Sequence, residues 1–182
     1  MFRMSIPTSK FPTITKSSGS RRIIGVDPGL AASGWGIIEY SGQRARYLSH
    51  GCIETPASQN HAERLLAIYN GIRAAIDEWR PVEAAVEVLF FARNATSAIP
   101  VAEARGVLCM ALAGAGLPVR EFTPNAIKRG VSGVSTADKR QVQGMVRVIL
   151  GLDDIPRPEH SADALAAAIC AAYTDIRCTD AN

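Results

Sequence analysis

The stretch RRIIGVDPGL, residues 21–30, decides how the rest of the chain is read. Ile23, Ile24 and Val26 form a short apolar, strand-like run, and Pro28-Gly29 turns the backbone where the run ends. Asp27 therefore stands at the mouth of a strand, held by a rigid element where ligands collect. Taken alone, Asp-Pro-Gly only starts a turn. Its meaning depends on three residues further along: Glu87 in AAVEVLFF, and His160 and Asp163 in EHSADALAAA.

Working outward, SGWGIIEY and RARYLSHGCIET flank Ser41-Gly42-Gln43, which reads as a hairpin connection. With the first strand this gives a three-stranded antiparallel meander. From Asn60 to Arg80 the period changes: Leu65, Ile68, Ile72, Ile76 and Trp79 recur at helical spacing, Asn60 caps the start, and Pro81 stops the helix. Residues 82–89 are a second core strand, which after a crossover helix lies parallel to the first. Asn94 to Gly116 reads as a long Ala-rich helix, and residues 117–123 as a further strand. Thr123-Pro124 is a helix cap followed by proline in the first turn. Residues 130–135, GVSGVS, read as a mobile loop, and Ser135 with Asp138 as the cap of a helix running to Leu150. Residues 151–159, with two prolines, connect to a last helix from about His160 to Ile176.

Composition supports one domain. The chain has 182 residues, 47% of them hydrophobic, and a mean hydropathy of +0.07, enough for a proper core. Nothing approaches the roughly 18 uninterrupted apolar residues of a membrane span. Residues 1–20 are Ser- and Thr-rich, free of acids and lack an apolar core, which predicts a disordered basic arm and no secretory signal. The domain is expected over 21–177, with 178–182 as a tail. Cys52, Cys109, Cys170 and Cys178 show no CxxC pairing and read as reduced thiols of a cytoplasmic protein. The net charge of +3 does not by itself name a partner.

The chemistry lies in the acids. Glu87 interrupts an apolar strand, where an ionised carboxylate costs several kcal/mol unless it is paired or bound to metal. His160 and Asp163, three apart, share a helix face; the plainer explanation is a first-turn acid beside a cap. If the two core strands are neighbours, Asp27 and Glu87 converge, and the last helix brings three carboxylates and one imidazole to one place. A divalent cation relieves their repulsion. Oxygen-rich sites suit Mg2+ or Mn2+. Two such ions about 3.5–4 Å apart activate water and stabilise a leaving oxygen in phosphodiester hydrolysis. Between Arg120 and Arg147 six basic residues face two acidic ones, a local +4 that suits phosphate contact as well as an ordinary solvated surface. Phe90-Phe91 fits core, or a wedge against unstacked bases.

In order, IIGVDPGLAASGWGIIEY, AVEVLFFARNATSA, EARGVL, TPNAIKRGVSG, ADKRQVQGMV and HSADALAAAI resemble the signature blocks of the RuvC family of Holliday-junction resolvases, over residues 23–173. The resemblance implies an α/β, RNase H-like fold: a mixed sheet, an antiparallel meander followed by parallel strands, with helices on both faces. It implies a homodimer that uses Mg2+ or Mn2+ to nick two opposing strands of a four-way DNA junction. Asp27, Glu87, His160 and Asp163 match the family's metal-site positions, Phe90 its aromatic near the crossover, and Lys128 and Lys139 its DNA-contacting basic positions. RuvA and RuvB are implied as branch-migration partners. His160 stands where a fourth acid also occurs in the family, which shifts the expectation from an all-oxygen, Mg2+ site towards Mn2+. The homodimer interface is expected on the helix within residues 94–116. Two other classes remain. Asp-x-Gly after a first strand also suits actin- and sugar-kinase-like ATPases, although those need two lobes. A catalytically dead junction-binding protein is the other, although all four site positions carry potential ligands.

Overall fold

The computed structural model describes residues 19–88 and 95–174. Three strands open the chain: β1 (Arg21–Asp27), β2 (Ala32–Ser41) and β3 (Arg44–Glu54). They form the expected antiparallel meander. Gly42 and Gln43 both take positive φ, 54° and 66°, as a two-residue hairpin connection requires. One feature of β3 escapes its sequence pattern. Its register on β2 slips where Ile37 faces Ser49 but Ile38 faces Tyr47, so Leu48 is an extra, bulged residue.

Helix α1 (His61–Trp79) starts at Asn60, whose side chain accepts from the Glu63 amide while the Glu63 carboxylate accepts from the Asn60 amide. Its buried Ile68, Ile72 and Ile76 pack with Ile24, Val26 and Ile37 on one sheet face. Strand β4 (Glu83–Glu87) then returns parallel to β1, with Val26 beside Val86. Helix α2 (Ala95–Gly114) covers the same face as α1 and leads into β5 (Val119–Phe122), which is parallel to β4. The sheet order is β3-β2-β1-β4-β5.

The other face carries α3 (Pro124–Ser132), α4 (Lys139–Leu150) and α5 (Glu159–Tyr173). Here two expectations are corrected. Residues 130–132 are not loop: α3 runs through Ser132 and ends on Gly133 at φ 81°. The cap of α4 is Asp138, not Ser135; Asp138 accepts from the Gln141 amide and the Gln141 side chain accepts from the Asp138 amide. Two spacings of three fitted one capping signature, and the one whose second member carries a long amide completes both bonds. The second core strand is also shorter than residues 82–89, and α5 ends at Tyr173.

Helix α5 is the central helix of that face, and almost every residue from Ser161 to Ala172 is buried. It lies directly on the sheet because the positions beneath it have no side chain. A Cβ on Gly25 would run into the Ala164 carbonyl oxygen, and one on Gly34 into that of His160. Those two glycines set the height of the helix above β1 and β2.

No helix among the described residues is long and apolar enough to cross a membrane.

Candidate active site

Asp27 closes β1 and Glu87 closes β4, so the parallel pairing delivers both carboxylates to one end of the sheet. The first turn of α5 lies over that end and supplies His160 and Asp163. All four line one cleft of about 440 Å³, together with Lys128 and Lys139. The structure thus brings together six of the seven residues singled out in the sequence. The seventh, Phe90, lies outside the described residues.

Neighbours within the chain partly neutralise the cleft. The imidazole Nδ1 of His160 is 2.7 Å from Asp27 Oδ2. The ammonium of Lys139, the first residue of α4, is 2.9 Å from Asp163 Oδ2 and also pairs with Glu159. The sequence reading gave Lys139 to phosphate; its partners here are carboxylates. Among the described residues no side chain hydrogen-bonds or ion-pairs with the Glu87 carboxylate. Burial first, and then repulsion from Asp27 and Asp163, pushes its carboxyl up to about 7, although Lys139 and Lys128 pull the other way. Burial also raises Asp163, against the pull of Lys139. His160 is raised by its hydrogen bond to Asp27, which outweighs burial. For Lys139 burial works downward, but its bonds to Glu159 and Asp163 prevail and take it to about 12.

Three carboxylates and an imidazole on rigid element ends are the donor chemistry of a divalent-cation site, and the raised Glu87 marks a place where added positive charge is favourable. Although the four line one cleft, no three such side chains among the described residues are arranged as a ready-made metal-binding group. One oxygen of Asp27 faces His160 and one of Asp163 faces Lys139, so a cation held there would share these carboxylates with their present partners. The donor set fits a divalent cation.

Other residues hold the site without entering it. Ser33 donates from its hydroxyl to the Gly29 carbonyl at 2.7 Å and so closes the turn behind Asp27. The buried Thr55 donates its hydroxyl to the Leu30 carbonyl and accepts from Arg64 Nε at 2.9 Å. Arg105 donates from Nε to the Glu87 carbonyl at 3.4 Å and pairs with Glu121 at 2.8 Å. None was marked by sequence reasoning. The available signal was glycine on alternate strand positions 25, 34 and 36, opposite an Ala-rich helix.

A mixed five-stranded sheet with helices on both faces and acids at the ends of β1 and β4 defines an RNase H-like fold of the nuclease type. The chain is more particular than that. Residues 23–171 match the family model for the crossover junction endodeoxyribonuclease RuvC. A crossover junction endodeoxyribonuclease RuvC of Chloroflexus aurantiacus is 54% identical over 153 residues, covering 84% of this chain and 93% of that protein. The RuvC structure of Thermus thermophilus superposes with a TM-score of 0.77 at 36% identity, over 84% of this chain and 94% of that one. T. thermophilus RuvC in complex with a Holliday junction substrate gives 0.78 at 35%, over 82% and 92%. The chain belongs to the RuvC family.

Proposed function

We propose that this protein is a crossover junction endodeoxyribonuclease that resolves four-way DNA junctions in recombination and repair by metal-dependent hydrolysis, nicking two opposing strands symmetrically. The observation that carries the reading is the convergence of Asp27, Glu87, His160 and Asp163 in one cleft, in a chain that matches the RuvC family over 23–171. A relative of 35% identity has been solved with a Holliday junction. Family membership also separates the chain from the ATPase alternative.

Asp27, Glu87, His160 and Asp163 would hold Mg2+ or Mn2+, with two ions per site as the working count and Mn2+ favoured by the imidazole. Bound divalent cations supply the activation of water and the stabilisation of the leaving oxygen. The chain's own part is positional and electrostatic. Strand ends and a helix turn fix the donors, and the Lys128 and Lys139 ammonium groups on the cleft wall offer contacts to the phosphodiester. Phe90 serves as the aromatic wedge at the crossover.

Two symmetric nicks need two sites about a two-fold axis, so the protein acts as a homodimer. Support comes from α2, where Ile99, Glu103, Gly106 and Met110 share one exposed face and Gly106 leaves open space above the backbone. Ile99 and Met110 are 59% and 60% exposed, which suits cover by a second copy. RuvA and RuvB are the branch-migration partners and the compartment is the cytoplasm; the basic arm expected at residues 1–20 lies, but for its last two residues, outside the described residues.

The test is incubation with a synthetic four-way junction and a linear duplex of the same sequence, each with Mg2+, Mn2+ or chelator. Paired symmetric nicks in the junction alone, lost with chelator, are expected. Equal cutting of the duplex, or cutting in chelator, would overturn the reading.

A further inference from the structure

Three helices bind their own N-termini: α1, α3 and α4 each begin with a side chain that accepts from a backbone amide in the first turn. Helix α5, which carries half of the site, begins at Pro158 with no side-chain cap. Its first turn is fastened from outside. The Ser161 hydroxyl, fully buried between His160 and Asp163, donates to the Gly51 carbonyl of β3 at 2.8 Å. One residue earlier in β3, His50 Nε2 lies 3.1 Å from the Arg157 carbonyl, just ahead of the helix. A carbonyl only accepts, so Nε2 carries a proton; in the neutral ring Nδ1 accepts from the Tyr47 hydroxyl at 2.9 Å.

The bulge makes this arrangement possible. Side chains alternate along a regular strand, so residues 47 and 50 would lie on opposite faces. The extra residue at Leu48 shifts the phase. Tyr47 pairs with Ile38 and His50 with Gly36, both on the face under α5, while Leu48 packs in the opposite core. Two aromatic rings 5.6 Å apart then stand beside the start of α5. A bulge that re-aims side chains next to an active site is a recurrent device.

We infer that Tyr47, His50 and Ser161 are positioning residues: through the bulge in β3 they fasten the first turn of α5, so that His160 and Asp163 keep their places over Asp27 and Glu87. The inference rests on the junction-endonuclease reading for its kinetic consequences, but not for its structural ones. Truncation of the clasp lets the first turn of α5 shift or fray. It leaves the DNA-facing surface and the core in place.

The informative variants are His50→Phe, which keeps a ring and removes both polar atoms, and His50→Gln, whose amide can donate to Arg157 and accept from Tyr47. Tyr47→Phe and Ser161→Ala each remove one hydroxyl. For His50→Phe and Ser161→Ala, kcat on a four-way junction should fall by about 10-fold, within the cost of misplacing catalytic groups. KM for the junction should hold. The Mn2+ concentration for half-maximal rate should rise. In metal-free protein, amide exchange at residues 160–163 should speed up by a similar factor while α1 and the sheet stay protected. Tyr47→Phe should show the same pattern more weakly, and His50→Gln should restore wild-type behaviour. Wild-type kcat, Mn2+ requirement and exchange in His50→Phe and Ser161→Ala would overturn the inference. So would losses in His50→Gln equal to those in His50→Phe that merely track a lower melting temperature. If wild-type protein itself leaves the junction uncut, the proposed function fails, and the exchange comparison still decides whether the clasp holds α5.

Discussion

The two ends of α5 handle charge in opposite ways. At the C-terminal end, Arg21 reaches the Ala172 carbonyl at 3.3 Å, and Arg120 reaches those of Ala171 and Thr174 at 2.8 and 3.2 Å. Behind them the fully buried Glu83 pairs with Arg21 at 3.0 Å. Burial lifts the Glu83 carboxyl, while Arg21 and Arg120 pull it back. Cations at a helix C-terminus also answer the helix dipole. At the N-terminal end Asp163 suits the dipole, but three carboxylates crowd one cleft and Glu87 rises to about 7. At one end, the closed one, each charge is answered within the fold; at the other, the open one, among the described residues, the pull of Lys128 and Lys139 does not offset the crowding on Glu87, and an added cation or a proton relieves it. The contrast sets a buried ion pair against a candidate cation site at the two ends of one helix.

The largest effect should come from breaking the open end. Glu87→Gln is nearly isosteric and removes one donor. Cleavage should fall by more than the roughly 100-fold typical of losing an outer-shell partner, while junction affinity and fold persist. Near-normal cutting, or unfolding of the variant, would place Glu87 among residues of the closed kind. Arg21→Met attacks the other end. It leaves Glu83 buried with less compensation and frees a carbonyl of α5, which should cost about 3 kcal/mol, the lower part of the range for a broken buried pair because Arg21 is partly open to water. In a domain of this size that lowers the melting temperature by about 6–12 °C. The kcat of the folded fraction should not change; a fall in kcat without loss of stability would erase the distinction between the ends.

A smaller effect tests the surplus directly. A carboxyl whose folded pKa is raised, as Glu87 is from its ordinary 4.5 to about 7, stays protonated in the fold and is forced to ionise as pH climbs. Stability of the metal-free protein is therefore lost across that interval. Asp163 is raised and acts in the same sense. His160, also raised, contributes stability that is full below its unfolded value of 6.5 and is lost as pH passes its folded one. In chelator, the melting temperature of wild type relative to Glu87→Gln should fall between about pH 4.5 and 7; Mn2+ should flatten that fall. A difference that stays level would remove the like-charge crowding on which the open end is argued.

Much of this contrast was legible in the chain, for reasons that differ by residue. The meander, α1 and the parallel return of β4 follow from period and from the cap at Asn60. Asp27 at the mouth of one apolar run and Glu87 within another are expected to converge if the two strands are neighbours, and the parallel pairing of β1 with β4 makes them so. The bulge at Leu48 was hidden, since an extra residue changes only the phase of an already irregular pattern. The cap of α4 was misplaced because Ser135–Asp138 and Asp138–Gln141 fit one spacing rule. Nothing in the sequence marks Glu83, because Arg21 and Arg120, the cations that answer it, are far away in sequence. Charge shows what class of partner a side chain takes; only the fold shows which partner it has.

Lys128 and Lys139 carry that last point into the smallest of the expected effects. Both line the cleft, yet Lys139 is bound to Asp163 and Glu159. Each lysine that meets a phosphate displaces condensed counterions, and removing one such contact lowers the slope of log affinity against log salt by about 0.9 for B-form DNA. Junction affinity is to be measured in chelator, so that cleavage and metal do not intervene. Lys128→Ala should flatten the slope by about that amount. Lys139→Ala should flatten it less, because its ammonium must first leave two carboxylates, and its removal exposes their charge to the DNA as well. That uncovered charge should weaken binding at low salt more than the slope alone accounts for. Equal slopes for Lys128→Ala and wild type would return Lys128 to the solvated surface. Equal flattening in both variants would mean that the Lys139 pairs open without penalty when DNA arrives, and the open end of α5 would then extend to its lysine.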